Sequence, residues 1–294
     1  MRVSGFTFLR NAAQLGYPFI ASIRSLLPLV DECIIVVGKS QDNTLDQIQA
    51  LAEADSKIKI IETEWNPHMT TKGFVYGEQK MIGQYACTGD WAFYLEADEV
   101  IHEQDYPAIR AALAKHWRDP RVEALIFDYW HFYGNTRTYA WSPAWYRRAP
   151  RIIKTAVRSY APDGLFWLVL DKNNKKGRYP RAAMIHAPIY HYGWVRPESQ
   201  HQEKFVQVQR YWSQGQETAK PQVDYRAIDP LSLREFKGTH PALMQGYYPE
   251  ASGIFETHAD YQLTRRERKN RWGLCLERWF GCDLSKKHFQ RVVI

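Results

Sequence analysis

The sequence predicts an α/β fold built on a mainly parallel sheet flanked by helices, followed by a helical C-terminal extension. Three observations carry this. Short β-branched apolar runs such as ECIIVVG (32–38) alternate with helical patterns through the first hundred residues. The connections between them are short, as expected of βαβ units with helices on both faces of a sheet. Beyond residue 198 two stretches have helical spacing, ESQHQEKFVQVQRYW and TRRERKNRWGLCLERWF (264–280).

Taken in order, RVSGFTF (2–8) reads as the first strand. PFIASIRSLLPLV (18–30) is helical and ends near Pro28. The continuous apolar run 32–38 reads as a strand buried on both faces. NTLDQIQALAEA (43–54) is an amphipathic helix that Asp42 or Asn43 can cap. KIKIIET (57–63) is the third strand, KGFVYGEQKMIGQYACT (72–88) a helix that turns at Gly89-Asp90, and WAFYL (91–95) the fourth strand. EQDYPAIRAALAKHW follows as a helix. From 123 to 192 the chain is strand-like, aromatic and turn-rich, with extended runs at 124–134 and 182–194 and a polar turn at DKNNKKGR (171–178). This divides the chain into an α/β half (1–105), a mixed α/β region of the same domain (106–196) and a helical extension (197–294).

Hydrophobic content of 45% and charged content of 24% describe an ordinary soluble globular protein. No run of about 18 uncharged apolar residues is present, so no membrane span is expected. The N-terminus lacks the apolar core of a secretion signal. Cys33, Cys87, Cys275 and Cys282 are scattered without a C-x-x-C pair, which excludes a zinc ribbon and fits reduced thiols in a cytoplasmic protein. The net charge of +7 suits an anionic partner: nucleic acid, a membrane surface or a phosphorylated substrate. Eleven tryptophans suit a sugar-binding surface or a large core equally.

The chemistry concentrates where strands end. FYLEADEV (93–100) places Glu96, Asp98 and Glu99 directly after an apolar strand. In open α/β sheets ligands sit beyond the carboxyl ends of strands. Three such ends, LRNAAQ (9–14), GKSQDNT (38–44) and EADE (96–99), bring Arg10, Asn11, Asp42 and Asp98 to one mouth. Clustered carboxylates there suit a divalent cation, Mn²⁺ or Mg²⁺, bridging to a phosphate. The competing account is that these acids open the next helix, where they favour its N-terminal dipole. That account is expected to hold for Glu99. No Gly-rich phosphate loop is present, which argues against a P-loop NTPase or a dinucleotide fold.

The segments VDECIIVVGKSQDNT and GDWAFYLEADE, in this order and spacing, resemble the family 2 glycosyltransferases, which have the GT-A fold. The resemblance covers roughly residues 1–105, and WYRRAPRIIK (145–154) is similar to an Arg-x-Phe-Arg strand of many members. It implies an inverting, metal-dependent, hexosyltransferase-like enzyme of polysaccharide biosynthesis, of the bacterial surface-polysaccharide or lipopolysaccharide type. A nucleotide-diphosphate sugar would be the donor and a glycan or lipid-linked molecule the acceptor, with no nucleic acid. Asp98 matches the final acid of the D-x-D motif, a metal and diphosphate contact, and Glu96 its first. Asp42 matches an acid that contacts the nucleotide, and Lys80 lies where members contact base or phosphates. Gly38 departs from the pattern, since an Asp commonly ends that strand.

For the general base of an inverting transfer, Asp163 in SYAPDGLFW is the first choice and Asp128 the second; a plain Asp-Gly turn is the alternative for Asp163. In HAPIYHYGWVR (186–196), His191 resembles a third metal ligand. Arg196 or Lys204 can neutralise the leaving diphosphate, although a solvated surface charge is the simpler account of each. Trp130, Tyr133, Trp141 and Trp145 are expected to form an acceptor platform. The basic, then aromatic, helix 264–280 suits peripheral contact with the inner face of a membrane. A nucleotidyltransferase using sugar phosphate and nucleoside triphosphate, or a basic nucleic-acid binder, are the alternative functions.

Overall fold

The computed structural model describes residues 1–212 and 222–293. Residues 213–221 and 294 of the expected extension lie outside these. The first half alternates as expected. Strands β1 (Val3–Leu9), β2 (Glu32–Gly38), β3 (Ile58–Thr63) and β4 (Trp91–Tyr94) are separated by helices α1 (Phe19–Leu26), α2 (Thr44–Ala54) and α3 (Phe74–Tyr85). β1 pairs in parallel with β2 on one side and β4 on the other, and β2 pairs in parallel with β3. All four strands therefore deliver their carboxyl ends to one edge.

A short strand β5 (Glu99–Ile101) and helix α4 (Tyr106–His116) follow. Contrary to the expectation from sequence, Glu99 does not open a helix; it is the first residue of β5 and is wholly buried. The next strands are β6 (Ala124–Tyr133), β7 (Asn135–Ala140) and β8 (Arg148–Lys154). β8 inserts antiparallel between β4 and β6. Ser159–Tyr160 (β9), Leu168–Asp171 (β10) and Asn174–Arg178 (β11) form a separate three-stranded sheet. The expected polar turn at 171–178 is thus mostly hairpin. Its second strand, β11, is polar and lies at the edge of that sheet, where Arg178 ties Asp171 to Glu123 of the preceding region.

The long strand β12 (Arg181–Trp194) runs parallel to β6 and antiparallel to β5. Helix α5 (Glu198–Trp212), strand β13 (Leu233–Glu235), helix α6 (Arg265–Phe280) and strand β14 (Gln290–Arg291) complete the chain. β13 pairs with β7 and β14 with β12, so the C-terminal segment adds strands to the main sheet as well as helices. α6 starts with a capping box, in which Thr264 and Glu267 satisfy each other's backbone N–H. Among the described residues no helix is long and apolar enough to cross a membrane.

Alternation along the strands fills two layers. Ile35, Phe93 and Ile152 face α1, α2 and α4, meeting Ile23, Ile48 and Ile109. Ile34, Val36 and Tyr94 face the other way, onto Met81 and Ile82 of α3 and onto Trp167. One buried acid ties the non-mouth edge. Glu32 accepts from Ser4 Oγ (2.7 Å), Thr88 N (2.8 Å), Thr88 Oγ1 (2.7 Å) and Lys59 Nζ (2.6 Å). Burial works against its charge, but these donors outweigh burial and hold the carboxyl down at about 2.

Because the folded pKa lies below the unfolded one, this stabilisation is present above the ordinary carboxyl range and lost as pH falls toward 2. We expect it to be on the order of 3 kcal/mol. Urea unfolding of the native chain should show that loss between about pH 5 and about pH 2, and Glu32→Gln should flatten that limb of the profile.

Candidate active site

Two loops at the mouth are stapled to each other. Asn11 adopts φ 50°, its N–H donates to Ser40 Oγ (3.0 Å), and its Oδ1 accepts from Gln41 N (2.8 Å). Asp42 accepts from Gln14 N (2.8 Å) and from Thr44 N (3.0 Å) at the start of α2, whose N-cap position is Asn43. Both are where the sequence places them, but their oxygens serve the loops. Arg10 reaches Tyr211 on α5 (2.7 Å) and stacks 5.2 Å over Trp65. With Phe8, Tyr17 and Asp98 these residues line a cavity of about 320 Å³, within the range of small-molecule sites. The glycine that departs from the family pattern has a steric cause. A Cβ at Gly38 would lie 2.4 Å from Trp65 Nε1, so the indole occupies the space of a side chain there.

The acids at the end of β4 divide into two sets. Arg151, fully buried on β8, donates to Glu99 through Nε (2.9 Å) and Nη2 (2.6 Å), and to Glu96 Oε1 (2.7 Å). Tyr129 also donates to Glu99 (2.8 Å). Burial and the neighbouring Glu99 push the Glu96 carboxyl upward, against the pull of Arg151. Asp98 accepts instead from Arg196 Nη2 (2.8 Å) and Lys204 Nζ (3.2 Å). Burial would raise it, but Lys204, His191 and Arg196 hold it well below the usual carboxylate range. Arg196 and Lys204 are therefore not solvated surface charges. Arg196 is fully buried and also donates to the Leu15 carbonyl (2.7 Å).

His191 completes the second set, with Nε2 3.6 Å from Asp98 Oδ1. Its Nδ1 lies 2.9 Å from Nδ1 of His131, whose Nε2 lies 2.7 Å from the Tyr146 carbonyl. Burial lowers both rings, His131 to about 3 and His191 to about 4, so both are neutral near neutral pH. Ligand atoms of Glu96, Asp98 and His191 lie within 4.8 Å of one another. The space beside them is open because residue 193 is glycine. A Cβ there would lie 2.6 Å from His191 Nε2 and 3.0 Å from Asp98 Oδ2. Two carboxylates and an imidazole around a gap that a methyl group would fill form a donor set suited to Mn²⁺ or Mg²⁺.

The other residues singled out in the sequence are distributed unevenly. Asp163 is nearly buried and beside Gly164 and Leu165 of the cavity wall; burial raises its carboxyl, and Oδ1 accepts from Leu165 N (2.8 Å). Lys80 lies beneath the acids rather than at the mouth. It is fully buried between Tyr94 (4.3 Å) and Trp167 (4.0 Å), donates to the Gly164 carbonyl (3.1 Å), and is lowered by burial and by Arg151. Asp128 is away from the acid cluster, half-exposed and paired with Arg148 (2.8 Å). Trp130 points to the opposite face of β6 from His131 and packs on Tyr139 and Phe236. Tyr133 and Trp145 pack with Trp194, and Trp145 lies 5.3 Å from His131. Trp141 is covered by Arg147 and Arg234.

Sequence reasoning missed the roles of Arg151 and His131, and it assigned Glu99 to a helix start rather than to the site. A lone arginine inside the apolar run APRIIK was the available signal, since a charge in a buried strand requires a partner.

Solved structures similar to parts of this chain include three of S. aureus TarS. The crystal structure of S. aureus TarS matches with TM-score 0.43 at 14% identity, over 71% of this chain and 39% of that one. TarS 1–349 in complex with UDP and in complex with UDP-GlcNAc each match with TM-score 0.42 at 16% identity, over 71% of this chain and 64% of theirs. This chain thus spans about two fifths of the first of these structures and less than two thirds of the others. A comparison with curated proteins found no match. The profile described as "Glycosyl transferase family 2" matches residues 9–168, more than half of the sequence and all of β4 and β8. The chain belongs to glycosyl transferase family 2.

Proposed function

We propose that the chain is an inverting, metal-dependent glycosyltransferase that moves a sugar from a nucleotide-diphosphate donor to a glycan or lipid-linked acceptor of a bacterial surface polysaccharide. The observation that carries this reading is the Glu96–Asp98–His191 donor set at the mouth of a cavity. Asp98, Glu96 and His191 would hold Mn²⁺ or Mg²⁺, which when bound supplies charge to a departing diphosphate. Around it the chain sets Arg10 and Lys204 on the cavity wall, donors suited to phosphate oxygens, while the buried Arg196 balances the charge of Asp98 from behind. The aromatic walls Phe8, Trp65, Tyr76 and Tyr211 suit a nucleobase.

Asp163 takes the part of general base, accepting the proton of the acceptor hydroxyl. What supports this is its place beside the cavity wall and a carboxyl raised by burial, which makes it more basic. Asp128 is less suited, because Arg148 already neutralises it. Among the expected platform residues, Trp145 is the one we place toward an acceptor, being only half-buried and next to the histidine pair. We place its site of action in the cytoplasm at the inner face of a membrane, and α6 supports this. One face of this helix carries Arg265, Arg268 and Lys269, then Trp272, Leu276 and Trp279, with Trp272 and Trp279 70% and 72% exposed. Basic residues leading into exposed indoles fit an anionic lipid surface.

A thermal-shift panel of UDP-, GDP-, CMP- and dTDP-sugars with Mn²⁺ should single out one nucleotide, raising stability by about 2.7 kcal/mol at a hundred times its Kd. Asp98→Ala should remove that shift; equal shifts in the two proteins would overturn the reading. Asp163→Asn should lower kcat by about 10²–10⁴ while leaving the nucleotide shift in place. Vesicles containing phosphatidylglycerol should co-sediment the chain at low salt, and phosphatidylcholine vesicles should not. The pair Trp272→Ala and Trp279→Ala should abolish that binding without changing transfer to a water-soluble acceptor.

A further inference from the structure

The histidine pair has a direction that follows from its partners. His131 on β6 and His191 on β12 are register neighbours of two parallel strands, and their Nδ1 atoms lie 2.9 Å apart. A single proton must sit between two nitrogens at that distance, and one of them must donate it. The far side of His131 decides which. Its Nε2 is 2.7 Å from the Tyr146 carbonyl, an acceptor only. Nε2 of His131 therefore carries the proton, and a neutral imidazole has no second one. Nδ1 of His131 is left as a lone pair, and it accepts from Nδ1–H of His191. Nε2 of His191 is then a lone pair as well, and it faces Asp98 Oδ1 at 3.6 Å. Two electron-rich atoms turned toward each other across an open gap are an arrangement that a cation completes.

We infer that His131 is a positioning residue whose acceptor nitrogen fixes the tautomer and aim of His191, so that His191 Nε2 is presented as a ligand atom beside Asp98. Its own ring is held for this task. Tyr129 stacks on it at 5.2 Å, and Tyr146 packs edge-on at 4.5 Å. The two imidazoles meet nearly at right angles, 84°, with centroids 5.0 Å apart. Outer partners of this kind typically change metal affinity by about 10–100-fold. The inference rests on the metal reading of the Glu96–Asp98–His191 set.

The test has two arms. In the unaltered protein without metal, ¹⁵N-histidine NMR should show His191 protonated at Nδ1 and bare at Nε2, and His131 with the reverse pattern. A proton on His191 Nε2 would overturn the assignment. In the second arm Mn²⁺ alone is titrated and followed by electron paramagnetic resonance. His131→Phe, which removes the acceptor, should weaken binding by about 10–100-fold. His131→Asn, whose carbonyl can accept in its place, should restore most of it. Native-strength binding by a folded His131→Phe protein would overturn the inference. Absence of Mn²⁺ binding by the unaltered chain would overturn the metal reading instead, with the NMR arm still deciding the tautomer.

Discussion

The Arg151 guanidinium, buried among Glu96, Glu99 and Tyr129, is the interaction on which the rest of the site depends. Three acids in four positions after a buried strand cannot share a low-dielectric edge unless cations lie among them. Arg151 meets two of them at once, bidentate to Glu99. This is the geometry in which a guanidinium offsets its own desolvation best. Removing one member of such a set strands the others, at a cost of about 3–5 kcal/mol. The antiparallel insertion of β8 between β4 and β6 is what carries Arg151 there. Fold topology and site electrostatics are, at this position, one constraint.

With Glu99 drawn inward, Glu96 and Asp98 are left along the mouth, and their cations come from far along the chain. Arg151 is 55 residues from Glu96, Arg196 98 from Asp98, and Lys204 106 from Asp98. The first half of the molecule thus contributes the carboxylates and the second half the counter-charges. α5 and the end of β12 close over the acids through Lys204 and Arg196. The same helix brings Tyr211 onto Arg10, so one element contacts both sides of the cavity.

The parts of this design that are local in sequence are the parts that could be read from it. The apolar run 32–38, the amphipathic period of 43–54 and the acids after 91–95 each announce their own conformation, and together they locate the mouth. Asp98 is found by the same route, as an acid at a strand end, whereas His191 is found only through the family resemblance. What stayed hidden depends on partners remote in sequence. Arg196 and Lys204 look like surface charges until β12 and α5 fold over Asp98. Glu99 looks like the start of a helix until Arg151 and Tyr129 arrive to hold it in a strand. Asn11 and Asp42 sit at the predicted place, yet the loops claim their oxygens. Strand parity separates Trp130 from His131, and a register of that kind is set by neighbours rather than by composition.

The indole that fills the space over Gly38 makes positions 38 and 65 mutually dependent. Any side chain introduced at 38 meets the Trp65 ring unless the ring is first reduced, whereas a smaller residue at 65 opens a hole that Gly38 cannot fill. The two sites therefore form an epistatic pair. A lineage can pass between an aspartate-ended and a glycine-ended second strand only by an ordered path that begins with the aromatic residue. Within such a family, glycine at the first position and tryptophan at the second should be inherited as a unit.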